Sequence, residues 1–113
     1  MSLPIEDPLM EYDQELMRDI LEKVHVAFDL DYGVLLGHEE GMAARHGRDA
    51  VIYLLWERVK MTAKDIGRLL DRKESYVKQA YVRASRRLRR DSGFQSRLLE
   101  ANAKLGAFVS AVH

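Results

Sequence analysis

The sequence predicts an all-α protein, a small bundle of about six helices containing a helix-turn-helix. Apolar residues recur at spacings of three and four, no window keeps a period of two, and both prolines, Pro4 and Pro8, fall in the first eight residues. A chain of 113 residues with 47% hydrophobic side chains is large enough to close one core without staples. The lack of cysteine excludes a disulfide framework, a cysteine nucleophile and thiolate metal sites. The longest apolar runs, such as Ala50 to Trp56, are too short for a bilayer, and no secretory signal pattern opens the sequence. The expectation is a soluble cytoplasmic domain with no membrane partner, no cofactor and no metal.

Residues 1–12 are acidic, hold both prolines and read as a flexible arm, with the folded domain over 13–113. Asp13 is placed to cap a first helix whose stripe is Leu16, Met17, Ile20, Leu21, Val24 and Phe28. Tyr32 to Gly37 reads as a short helical turn stopped by Gly37, and the three glycines from Gly37 to Gly47 read as a loop. Arg48 to Lys60 is apolar on nearly every side, which predicts the buried central helix. Thr62 with Asp65 has the capping-box pattern and opens a short fourth helix facing inward through Ala63, Ile66, Leu69 and Leu70. Asp71 to Glu74 repeats that pattern and starts a long fifth helix ending near Arg90. Ser92 and Gln95 mark a sixth, carrying Phe94, Leu98, Leu99, Leu105, Phe108 and Val109.

Net charge is zero, but it is divided along the chain. Met1 to Gly41 holds eleven acids and two bases, whereas Met42 to His113 holds sixteen bases and seven acids. Such a split suggests one part that meets a polyanion and another that repels it. A salt-bridged domain with no net dipole is the alternative. The fifth helix sharpens the first reading. Val77, Ala80, Tyr81, Ala84 and Leu88 share one apolar sector, and Arg72, Tyr76, Gln79, Arg83, Arg86 and Arg90 form a row opposite, with Ser75 at its edge. A recognition helix needs polar side chains at its N-terminal turn for base edges and arginines further along for phosphates. Arginine suits both tasks because its planar donor fork matches guanine and phosphate. A solvated helix face is the competing explanation of the row.

The remaining candidates are weaker. His38, Glu39, Glu40 and His46 lie in the glycine-containing stretch without metal-ligand spacing and read as a solvated loop. Tyr53 and Trp56 read as core, and His25 as a helix-surface residue. No triad, paired carboxylates or phosphate-binding glycine loop occurs, so an enzyme is not expected.

The run from Asp19 to Leu105 resembles the C-terminal DNA-binding domain of the bacterial replication initiator DnaA, a Trp-repressor-like helical fold. Ile20-Leu21-Glu22-Lys23-Val24 through Leu35-Leu36-Gly37 is similar to that family's first two helices. Arg48-Asp49-Ala50-Val51-Ile52-Tyr53-Leu54 is similar to the start of its central helix, and Thr62-Ala63-Lys64-Asp65-Ile66-Gly67 to its first helix-turn-helix element. The resemblance implies double-stranded DNA binding, a part in replication initiation, a place on the bacterial nucleoid, and Arg48 as an arginine for the minor groove. The family's base-reading set is here replaced by Arg72, Lys73, Glu74, Ser75 and Tyr76, and its basic loop by Gly37-His38-Glu39-Glu40-Gly41, with Arg45 and Arg48 retained. The initiator's own sequence specificity is therefore not implied, and neither is nucleotide binding.

The expected base-edge readers are Arg72, Lys73, Ser75, Tyr76, Gln79 and Arg48. The expected phosphate contacts are Arg45, Lys64, Arg83, Arg86 and Arg90. The alternative is a protein-interaction module that kept the fold and lost DNA readout, docking a protein partner through the acidic N-terminal third.

Overall fold

The computed structural model describes residues 8–112, with side chains described for residues 9 and 11–105. Residues 1–7 of the expected arm, and the side chains of Phe108 and Val109, lie outside the described residues. The described chain is helical throughout: α1 (Gln14–Ala27), α2 (Tyr32–Leu36), α3 (Met42–Leu54), α4 (Ala63–Leu70), α5 (Glu74–Arg90) and α6 (Ser92–Val112). A 3-10 turn, Pro8–Glu11, precedes α1, and a π-helical turn, Leu55–Val59, continues α3. α1 packs along α6, and α3 and α4 pack on α5. The core between them is closed by Ile20, Val24, Leu35, Ile52, Leu54, Leu55, Ile66, Val77, Leu98 and Leu105.

Side-chain caps set several of the boundaries. The Asp13 carboxylate accepts the Leu16 N–H at 3.0 Å, and the Thr62 hydroxyl accepts the Asp65 N–H at 3.1 Å. The second half of the capping box is rerouted. Tyr12 donates its hydroxyl proton to Asp65 at 2.6 Å and accepts the Thr62 N–H at 3.4 Å, which fastens the end of the acidic segment to the start of α4.

Four boundaries differ from the sequence reading. α3 begins at Met42 rather than Arg48, because Gly47 is a packing position and not a loop residue: a Cβ there would run into Leu30 and Leu35. The α-helix also stops before Lys60. Its last turn widens to π geometry and ends where Lys60 adopts the left-handed conformation, with φ 66°. Asp71 does not cap α5; it terminates α4 in the left-handed region, with φ 56° and ψ 52°, and Lys73 takes the N-cap place without a side-chain bond. At the last corner Asp91, not Ser92, caps α6, accepting the Phe94 N–H at 3.1 Å. Leu99, placed on the inward stripe of α6, is 51% exposed.

The α4–α5 turn depends on Gly67. The Arg72 N–H donates to the Gly67 carbonyl at 2.8 Å, so the turn backbone lies directly over the glycine. A Cβ at Gly67 would come within 2.5 Å of the Arg72 carbonyl oxygen, a backbone atom that cannot rotate away. Gly67→Ala is expected to destabilise the protein by about 1–3 kcal/mol, the usual cost of overpacking, read as a lower denaturant midpoint at unchanged slope.

Candidate nucleic-acid interface

α4, the turn and α5 form the helix-turn-helix, and the rotation of α5 about its own axis decides which side chains face outward. A buried ion pair fixes that rotation. Asp49 on α3 is fully buried, and both its oxygens accept from Arg83, from Nε and from Nη2, each at 3.0 Å. This side-on pairing holds the guanidinium charge and raises its pKa further, chiefly through the hydrogen bond to Asp49. Arg83 is therefore not a free phosphate contact but the pin between the central helix and α5.

The guanidinium of Arg83 also lies over the Tyr76 ring at 5.6 Å, and that of Arg72 over the same ring at 5.1 Å. Arg72 further donates to the Gly37 carbonyl and to His38 Nδ1, so the α2–α3 loop is tied to the helix-turn-helix turn. The Nε2 of His38 stands 3.6 Å from Asp71. Tyr76 is half-buried beneath these contacts, and with Arg72, Lys73, Ser75 and Gln79 it lines an open groove of about 310 Å³. Arg48 is the largest departure. It is 3% exposed, and its guanidinium donates to the carbonyls of Val34, Leu35 and Glu39 at 3.1, 3.3 and 3.2 Å. The residue expected in the minor groove instead satisfies the orphan carbonyls at the end of α2.

The other candidates stay on the surface. Lys73, Ser75 and Gln79 are exposed at the start of α5, and Lys64 is exposed on α4. Arg86 and Arg90 are exposed and make no ion pair among the described residues. Arg45 is exposed and stands 3.4 Å from Glu40. Because Val77, Ala80 and Ala84 face the core, the outward centre of α5 is Ser75, Lys78, Gln79, Val82, Arg86 and Arg89. The sequence-derived row lies to one side of this centre and runs into α3 at Tyr76 and Arg83. Lys78, Val82 and Arg89 were missed because the apolar sector alone does not say how far the core extends on either flank. Lys78 pairs with Glu74 at 3.0 Å, one helical turn away.

No protein-family model matches this chain, and no curated protein matches it. Among the described residues no helix is long and apolar enough to cross a membrane, and no three metal-ligating side chains are grouped. His46 is half-buried against the Phe94 ring, with centroids 6.0 Å apart; burial, then Arg87, lowers its pKa.

On its other flank α5 meets the π turn. Tyr81 is stacked against Tyr53 at 5.3 Å and against Trp56 at 4.3 Å, and its hydroxyl donates to Glu57. These rings are partly buried and pack against the core. The hydrogen bond to Glu57, with burial second, pushes the Tyr81 pKa up to about 12.

Two expectations follow from this geometry. Asp49→Ala should cost about 3 kcal/mol, the low end for a broken buried pair, because Arg83, with 28% of its side chain exposed, can turn to water. Arg83→Ala should cost more, since it strands a fully buried carboxylate; paired denaturant curves check the order. The second concerns pH. Below pH ~10 folded and unfolded chains both keep the Tyr81 proton, but between about 10 and 12 the unfolded chain loses it first, so stability falls as pH rises through that window. Alkaline absorbance titration should show Tyr81 titrating late, returning toward the ordinary range in Glu57→Gln.

Proposed function

We propose that this chain binds double-stranded DNA through the α4–turn–α5 unit, as a helix-turn-helix protein of the DnaA C-terminal type with its own sequence preference. The observation that carries the reading is the outward face of α5. Ser75 and Gln79 lie in its first two turns, and Arg86, Arg89 and Arg90 in its last two, all exposed and on a helix whose only acid is Glu74. Polar groups near the N-terminus can reach base edges, while the arginines further along meet phosphates. Lys64 on α4 and Lys73 at the turn extend the positive surface around an open groove of about 550 Å³. The resemblance to the DnaA family supports the same reading through Thr62-Ala63-Lys64-Asp65-Ile66-Gly67, and a part in replication initiation rests on that resemblance alone. No catalytic role is proposed.

The engagement of Arg48, Arg72 and Arg83 inside the protein favours the second reading, a protein-interaction module docking a protein partner through the acidic residues of the first third. Titration with mixed-sequence duplex separates the two. The intact chain should bind at low salt, and Arg86→Ala with Arg90→Ala should weaken binding on all sequences. The double variant should also lower the slope of log affinity against log salt by about 2, since each phosphate contact contributes ~0.9. These positions suit the test because neither is part of the core, unlike Arg83. No binding at 50 mM salt, roughly where such contacts are strong, or indifference to both substitutions, overturns the DNA reading in favour of the second.

A further inference from the structure

Val82 stands in the middle of the basic face of α5 and is 52% exposed. Its surroundings are polar and cationic: Lys78, Gln79, Arg83 and Arg86 line the same open groove of about 420 Å³. A lone valine here gains nothing for the core and dilutes the positive charge that phosphates would meet. Gln79, exposed three residues earlier on the same side of the helix, is uncharged too. The outward centre of α5 thus changes from cations to one amide and one branched apolar side chain before returning to Arg86 and Arg89.

We propose that Gln79 and Val82 read one A·T step in the major groove, Gln79 through the N7 and N6 edge of an adenine and Val82 through the C5-methyl of a thymine. This inference rests on the DNA-binding reading above and names the bases its site would take. A glutamine amide offers one donor and one acceptor, the complement of adenine's major-groove edge, and the thymine methyl is the groove's only apolar group. The spacing agrees. Positions three apart on a helix advance about 4.5 Å along its axis, close to the ~3.4 Å between successive base pairs, so the two side chains reach the same or neighbouring pairs. The flanking charge selects the occupant. Lys78 and Arg86 beside Val82, with Arg89 two turns further on, suit a polyanion, and an apolar protein partner would have to desolvate them.

The test uses the full chain and a duplex pool of random sequence, followed by replacement of each thymine of the selected site with uracil, which lacks only the methyl. The selected site should contain an A·T step. Wild type should lose about fourfold at one thymine, the worth of one buried methyl, and Val82→Ala should be insensitive to that same replacement. Gln79→Ala should relax the preference for adenine at the same or the next pair. Val82 and Gln79 are exposed, so both variants should retain the helicity of wild type. If duplex is bound but no uracil replacement matters, or Val82→Ala stays as sensitive as wild type, the assignment of Val82 is wrong and DNA binding stands. If no duplex is bound, the DNA reading fails and this inference fails with it.

Discussion

The rotation of α5 is set by one buried charge pair. Asp49 has no exposure and both its oxygens bond Arg83, so any rotation of α5 that displaced Arg83 would leave an unpaired carboxylate in the core. Such a penalty is of the size that decides between alternative packings. Val77, Ala80 and Ala84, all fully buried, give the packed side of α5, and the ion pair adds a directional bond to that packing. The pair fixes the rotation, and with it which polar side chains become the outer face.

A second consequence is a division of labour among the arginines. Arg48 and Arg72 bind backbone carbonyls of the α2–α3 connection, from Val34 to Glu39, and Arg83 binds Asp49. Together they brace the loop, the central helix and the helix-turn-helix turn into one polar frame, with the guanidinium groups of Arg72 and Arg83 both over the Tyr76 ring. The arginines of α5 left in solvent, Arg86, Arg89 and Arg90, stand in its last turns. Arg72 and Arg83 are therefore structural, whereas the arginines at the end of α5 stand exposed.

The fold was legible in the sequence where local chemistry decides it. Asp13 and Thr62 announce their helices because a short oxygen-bearing side chain before an apolar stripe has few other uses. Gly37 stops α2 as its position suggests. Gly47 and Asp71 misled for the same reason: their roles are tertiary. Gly47 is small because Leu30 and Leu35 occupy its place, and Asp71 tolerates the left-handed bend that closes α4. Among the candidate interface residues, the exposed set Lys73, Ser75, Gln79, Arg86 and Arg90 follows from helical periodicity. The buried Arg48 and the paired Arg83 do not, since nothing local distinguishes an arginine that bonds carbonyls or a distant aspartate from one that faces water. Asp49 carried the missing signal: the one acid of α3, set directly before the apolar run Ala50 to Leu55, calls for a cationic partner.

The stack of Trp56 on Tyr81 gives the molecule a built-in optical gauge. The chain contains a single tryptophan, and its indole lies 4.3 Å from a ring carried by α5 itself. Any shift of that helix against the π turn alters the contact and hence the indole emission. The position of α5 can be followed by intrinsic fluorescence, with no label attached.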